Sequence, residues 1–140
     1  MYEKWKSRAF PYKIRTKCEH IFFTPREGGR MEETMQNEYE LKKLMCDIGK
    51  RIYDRNMVAA NDGNISVKLN DNEFLCTPTG VSKGFMTPDF ICKVDAQGNV
   101  IQANKGFRPS SEIKMHMRVY QKRPDVGAVV HAHPTFATSF

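Results

Sequence analysis

GAVVHAHP, residues 127–134, is the stretch that decides the fold. Its first five residues form a continuous apolar run up to a histidine, which predicts a strand buried on both faces of a sheet. Alternate residues of a strand point to the same face, so His131 and His133 can approach one cation while Ala132 points away. The pattern is also compatible with two histidines at a strand end that bond to solvent or to carbonyl groups.

The segment before this strand predicts a helix that begins close to a carboxylate. Ser110 and Ser111 precede a helix over residues 112–122, and serines at this position cap the free N–H groups of a helix. Glu112 lies in the first turn, where the helix dipole favours an ionised carboxylate. We interpret Glu112 as a metal ligand or a base, beside the simpler interpretation of an ordinary helix start. His116, one turn later, is interpreted as a surface or packing histidine.

The earlier part of the chain predicts a long helix and two hairpins. Apolar residues recur at helical spacing from about Met31 to Arg55, and Pro134 suits the first turn of a third helix. Helices and hairpins around one sheet indicate a layered α/β domain. The predicted hairpin strands cover residues 65–69, 73–76, 90–94 and 99–102.

Three neutral turns predict a site for a phosphate group. They are Gly63-Asn64, Thr77-Pro78-Thr79-Gly80 and Ser110-Ser111. Together they offer backbone N–H groups, hydroxyls and a helix N-terminus, a combination that binds phosphate without a lysine. The sequence contains no P-loop and no G-x-G-x-x-G dinucleotide fingerprint.

The net charge of +6 taken alone favours a nucleic-acid partner. Residues 1–30 hold 8 Lys/Arg and 3 Asp/Glu, whereas residues 31–140 hold 14 and 13. The excess therefore lies in the first segment, and no nucleic-acid partner is expected. No apolar run approaches the ~20 residues that span a bilayer, so no membrane partner is expected and the cytoplasm is the predicted location. The four cysteines form no C-x-x-C pair and are interpreted as packing or surface thiols.

These observations divide the chain into a basic extension, residues 1–30, and a folded domain, residues 31–140. The extension shows no sustained helical or strand period and is predicted to be poorly ordered or loosely docked. Glu27-Gly28-Gly29 can also be encoded by a purine-rich stretch that resembles a ribosome-binding site, just upstream of Met31. The alternative interpretation is therefore a translated leader from a start assigned too early.

Four motifs in this order resemble those of the class II aldolase/adducin family, and they cover about residues 37–140. The resemblance implies a three-layer α/β/α fold with a mainly antiparallel central sheet, of which the chain carries the N-terminal portion. It also implies a homotetramer with active sites at subunit interfaces. The motifs are Gly63-Asn64-Ile65-Ser66, Thr77-Pro78-Thr79-Gly80, Pro109-Ser110-Ser111-Glu112 and His131-Ala132-His133.

The same resemblance implies a zinc-dependent aldolase acting on a sugar phosphate. The implied reaction cleaves a ketose 1-phosphate, such as L-fuculose 1-phosphate, to dihydroxyacetone phosphate and an aldehyde, with Glu112 as the acid/base. Since this reaction needs no Schiff-base lysine, Lys83, Lys105 and Lys114 are predicted to be surface residues. The implied zinc ligands are Glu112, His131 and His133. The implied phosphate-binding residues are Asn64, Thr79, Gly80, Ser110 and Ser111.

The chain departs from the family pattern at two places. Asn61 stands where the aldolases carry a threonine near the phosphate. The family also carries a third histidine ligand, and a tyrosine acting across the interface, beyond the His131–His133 motif. This chain stops at Phe140, so we expect a truncated domain with weakened metal binding.

Other functions in the same family stay open. One alternative is a pentulose-phosphate 4-epimerase, although that branch typically has an aspartate where this chain has Glu112. A sugar-acid or methylthioribulose-phosphate lyase is a further alternative. The last alternative is an inactive, adducin-like interaction module that has lost its metal.

Overall fold

The computed structural model describes residues 13–17, 20–24 and 31–139. The helices are α1 (Met31–Asp54), α2 (Ile113–Lys122) and α3 (Thr135–Thr138), and short 3-10 helices cover Lys83–Phe85 and Pro88–Phe90. The strands are β1 (Lys13–Lys17), β2 (His20–Thr24), β3 (Asn64–Lys68), β4 (Glu73–Cys76), β5 (Cys92–Asp95), β6 (Val100–Gln102) and β7 (Ala128–His131).

Within residues 31–139, five strands form one sheet in the order β6-β5-β4-β3-β7. Every neighbouring pair in this sheet is antiparallel. Strands β3 to β6 follow one another as hairpins, and the chain then crosses through α2 to add β7 beside β3. The predicted, mainly antiparallel central sheet is confirmed.

Two hydrophobic cores lie on opposite faces of the sheet. Phe74 and Cys76 of β4 share one core with residues of α2, whereas Leu75 between them shares the other core with Met45 of α1. This alternation follows from the two-residue period of a strand. One helix therefore covers each face, and the expected three-layer α/β/α arrangement is confirmed.

Strand β7 is buried on both sides, as its apolar sequence predicts. Val129 belongs to the core beneath α2 and is 0% exposed, and Val130 belongs to the core beneath α1. The predicted strand over residues 90–94 begins later than expected, at Cys92. Pro88 opens a 3-10 turn in which the Ile91 N–H donates to the Pro88 carbonyl, so the chain becomes extended only after that turn.

The described part of the basic extension forms an antiparallel hairpin of β1 and β2, and β2 lies beside β7. Residues 1–12, 18–19 and 25–30 lie outside the described residues. The interpretation of residues 1–30 as an extension or a translated leader stays a prediction. None of the helices in the described ranges has both the length and the apolar character that crossing a membrane requires.

Candidate functional site

The site begins where β3 and β7 lie side by side. Asn64, the first residue of β3, is directly opposite His131, the last residue of β7. After the strand, the backbone N–H of His133 donates to the carbonyl of Met57 at 2.9 Å. The connection between α1 and β3 thereby holds the segment that carries the second histidine.

Glu112 reaches this strand pair from the start of α2. Its Oε2 lies 2.7 Å from Nδ1 of His131 and accepts a hydrogen bond from Nδ2 of Asn64 at 2.8 Å. The rings of His131 and His133 lie beside each other, with centroids 4.5 Å apart. The three side chains predicted from two distant sequence motifs therefore meet at one place.

The carboxylate of Glu112 is held in its ionised form. The hydrogen bond from Asn64, together with the nearby imidazoles of His131 and His133, outweighs the effect of burial and lowers the pKa of Glu112 below its ordinary value. The Glu112 side chain is 46% exposed, so a ligand from solvent can reach it. At neutral pH this group can accept a proton or bind a cation.

The donor set is one that suits zinc, since two imidazoles and a carboxylate are common ligands of that ion. Across residues 13–17, 20–24 and 31–139, however, no three His, Cys, Asp or Glu side chains are arranged as a ready metal-binding group. In the observed arrangement, Oε2 of Glu112 and Nδ1 of His131 contact each other directly. The predicted ligand set of Glu112, His131 and His133 stays a prediction.

Backbone contacts link two of the three turns that are predicted to bind phosphate. Pro78 and Pro109 form an antiparallel bridge, and the Thr79 N–H donates to the carbonyl of Arg108 at 2.9 Å. The bridge and this bond join the Thr77–Gly80 turn to the segment that carries Ser110 and Ser111. Thr79, Gly80 and Ser111 are exposed and Ser110 is half-buried, as a site for a ligand from solvent requires.

Asn64 has a different position from these exposed turn residues. It is 5% exposed, and its Nδ2 donates to Glu112. Its Oδ1 is buried and has no hydrogen-bond partner among the residues that the structure describes. The predicted role of Asn64 at the phosphate stays untested, and its observed contact joins it to the carboxylate.

A buried polar cluster beneath the site was not predicted. Ser66 Oγ lies 2.7 Å from His116 Nδ1 and 2.8 Å from the hydroxyl of Tyr120, and all three residues are buried. The packing interpretation of His116 is therefore correct. Part of the signal was available in the sequence, because His116 and Tyr120 are four residues apart and so lie on one face of α2.

One lysine prediction is wrong. Lys105 and Lys114 are exposed as expected, but Lys83 is only 1% exposed. Its ammonium group donates to two backbone carbonyls, those of Asn61 and Val81. These two bonds replace the water that a surface lysine would keep, and no sequence pattern around Lys83 indicated them.

Comparisons with known proteins give relatives for most of the chain. Residues 43–140 match the family described as Class II Aldolase and Adducin N-terminal domain. The chain is 40% identical over 93 residues to an L-fuculose phosphate aldolase of Methanococcus maripaludis, covering 66% of this chain and 49% of that protein. It is 38% identical over 98 residues to a 3-oxo-tetronate 4-phosphate decarboxylase of Haemophilus influenzae, covering 70% and 45%.

The fold also matches solved structures. An L-fuculose 1-phosphate aldolase from Glaciozyma antarctica superposes with a TM-score of 0.72 at 20% identity, covering 81% of this chain and 47% of that one. At this identity the likeness shows a shared fold. The chain spans about half the length of the curated relatives it matches.

Proposed function

The chain belongs to the class II aldolase and adducin family, and from that membership and the site geometry we propose that it carries half of a zinc-dependent aldolase site. The proposed reaction is cleavage of a ketose 1-phosphate, such as L-fuculose 1-phosphate, to dihydroxyacetone phosphate and an aldehyde. One observation carries the proposal: Glu112 lies 2.7 Å from His131, with the ring of His133 beside it.

Glu112 is the proposed acid/base. Cleavage of the C3–C4 bond of a ketose leaves negative charge on the carbon next to the carbonyl group, and that carbon must receive a proton. In the reverse direction the same carbon of dihydroxyacetone phosphate must lose one. A carboxylate that is ionised at neutral pH and partly open to solvent suits the second role directly, and Asn64 keeps it oriented.

A metal ion is part of the proposal. Glu112, His131 and His133 would hold it, and when bound it supplies Lewis-acid stabilisation of the developing negative charge. A shared ion requires all three side chains, so the loss of any one of them should weaken its binding. This requirement makes metal affinity a direct test of the proposed ligand set.

The proposed phosphate site consists of the three predicted turns, that is, Asn64 together with the Thr79–Gly80 and Ser110–Ser111 turns. Thr79, Gly80, Ser110 and Ser111 offer hydroxyls and backbone N–H groups within two segments that the Pro78–Pro109 bridge joins. Such groups bind phosphate oxygens without a basic side chain. The joined turns support a substrate with a terminal phosphate.

Isothermal titration calorimetry with zinc tests the ligand set. The parent should bind one ion, and Glu112→Gln and His131→Ala should each weaken binding by at least about tenfold. Glu40→Gln is the matched control, because Glu40 is an exposed carboxylate on α1 that pairs with Lys43. Unchanged affinity in both site variants would contradict the ligand assignment.

Proton exchange tests the proposed role of Glu112 without requiring the whole reaction. In heavy water with added zinc, the parent should replace a hydrogen of dihydroxyacetone phosphate next to the carbonyl group by deuterium, seen by proton NMR. Glu112→Gln should slow this exchange by roughly 10²–10⁴-fold, and Glu40→Gln should leave it unchanged. Equal exchange by the parent and Glu112→Gln would refute Glu112 as the base.

A decarboxylase of a sugar-acid phosphate is the second candidate, because a relative with that name is 38% identical over 98 residues. Product analysis separates the two: carbon dioxide from a 3-oxo acid phosphate favours decarboxylation, and dihydroxyacetone phosphate from a ketose 1-phosphate favours the aldolase.

A homotetramer and a cytoplasmic location also belong to the proposal. Sedimentation of the purified chain tests the first, since a species of 16.2 kDa would be the monomer. Cell fractionation tests the second.

A further inference from the structure

The side chain of Lys83 is almost completely removed from water, at 1% exposed. Its Nζ donates to the carbonyl of Val81 at 2.6 Å and to the carbonyl of Asn61 at 3.2 Å. Burial lowers the pKa of Lys83, and the negative charge of Asp62 opposes that shift. A buried charge is costly unless hydrogen bonds compensate it, so the two carbonyl bonds are what keep this group in place.

The two carbonyls lie in different turns of the proposed phosphate site. Asn61 lies in the turn that the Asp62 N–H closes by donating to the carbonyl of Ala59, just before Asn64, and Val81 follows Gly80 directly. The ladder between β3 and β4 holds the bases of these turns together, through bonds such as that from the Thr77 N–H to the Ile65 carbonyl. Beyond this ladder, the two hydrogen bonds of Lys83 connect the ends of the two turns.

The second turn is joined in its own way to the third. The Thr79 N–H donates to the carbonyl of Arg108, two residues before Ser110. A chain of contacts therefore runs from Asn61 through Lys83 to the Thr79–Val81 segment, and from there to the start of α2. Lys83 makes the first contact of this series.

We propose that Lys83 is a positioning residue that sets the spacing of the three phosphate-binding turns, an inference that rests on the proposed function of those turns. Its ammonium contacts the backbone of two turns rather than the ligand. Its Nζ lies 2.6 Å from the carbonyl of Val81, the residue that follows Gly80. The exposed Gly80 has a φ of +73°, so the shape of this turn depends on the bonds that hold its ends.

The test is the affinity for inorganic phosphate, followed by NMR at the backbone amides of Gly63, Gly80 and Ser111. The variant is Lys83→Met, which keeps most of the apolar stem and removes the donors. The control is Lys105→Met, since Lys105 is exposed. We expect Lys83→Met to bind phosphate roughly tenfold more weakly, because hydrogen bonds from charged groups are among the stronger ones, and Lys105→Met to stay within twofold of the parent.

The thermal midpoint of each variant separates positioning from plain stability. Removing a buried donor can also destabilise the fold, because its acceptors are left without a partner. Weaker phosphate binding with an unchanged or higher midpoint supports the inference, and Lys83→Arg, which keeps donors and charge, should recover part of the affinity. Parent-like affinity in Lys83→Met overturns the role of Lys83 and leaves the phosphate site intact. If the parent itself shows no phosphate shifts at the three amides, the proposed site fails and this inference fails with it.

A measurement on the unmodified chain covers the case in which Lys83→Met does not fold. With nitrogen-15 in the lysine side chains, a buried, hydrogen-bonded ammonium gives a slowly exchanging Nζ–H signal. Such a signal for Lys83 that shifts when phosphate is added supports the inference. Exchange as fast as that of Lys105 overturns it.

Discussion

Gly63 allows the sharpest test of the packing around the site. It precedes Asn64 and has a φ of +73°, a conformation that costs a residue with a side chain roughly 1–2 kcal/mol. A Cβ added here would lie 2.6 Å from Cγ1 of Val58 and 2.8 Å from the carbonyl oxygen of His131. The second neighbour is backbone of β7, so it cannot rotate away.

The structure supplies the magnitude and a matched control. Overpacking a well-filled site costs about 1–3 kcal/mol, so Gly63→Ala should lower the free energy of unfolding by about 2–5 kcal/mol in total. Gly80 has the same φ of +73°, but an added Cβ there meets none of the described atoms within 4 Å. Gly80→Ala should therefore cost only the conformational part, about 1–2 kcal/mol.

Urea unfolding followed by far-ultraviolet circular dichroism measures the difference. With an m value of about 1.5 kcal/mol/M, the midpoint of Gly63→Ala should lie about 0.7–2 M below that of Gly80→Ala. Because the displaced atom is the His131 carbonyl, Gly63→Ala should also weaken zinc binding, if the proposed ligand set is correct. Equal midpoints for the two variants would refute the close approach of Gly63 to β7.

Three further predictions concern the contacts that α1 and α2 make with the rest of the fold. Burial raises the pKa of Glu38, but hydrogen bonds and charge from two lysines outweigh burial, so the pKa is lowered overall. The stability that the ionised Glu38 contributes is therefore present above the unfolded pKa of about 4.3 and is lost as the pH falls. Glu38→Gln should thus reduce the drop in the urea midpoint between pH 5 and pH 3. Ser66→Ala removes the hydroxyl shared by a buried histidine and a buried tyrosine. It should cost about 2–6 kcal/mol in urea unfolding, since each of the two deprived buried groups costs roughly 1–3 kcal/mol. A loss below about 0.5 kcal/mol would contradict that cluster. Gly49→Ala adds a Cβ 2.8 Å from the carbonyl oxygen of Lys83, so the expected helix-propensity gain of about 1 kcal/mol should be absent and the thermal midpoint should fall; a rise would contradict the close packing of α1.

Local patterns were sufficient for the main elements of the fold. The apolar run before His131 could only be accommodated as a strand covered on both faces, and Val129 and Val130 are indeed divided between two cores. The alternation of apolar and polar residues in β3 and β4, and the helical spacing of apolar residues in α1, predicted those elements in the same way. These features depend on residues close in sequence, whose spacing decides which side chains share a face.

The candidate site was only partly predictable. Histidines two residues apart on a strand and a carboxylate at a helix start were visible as two separate motifs, and the family resemblance brought them together. Their chemical types and their order along the chain were therefore available from the sequence.

Only the tertiary structure decided how these groups meet and what supports them. Asn64 faces His131 because β7 joins the sheet beside β3, after a crossover through α2. Lys83 is buried because α1 and two turns enclose it, and its hydrogen bonds go to backbone carbonyls that every residue possesses. A sequence specifies which groups exist and which neighbours share a face, but the pairing of distant strands and turns decides which polar groups lose water and must find partners within the protein.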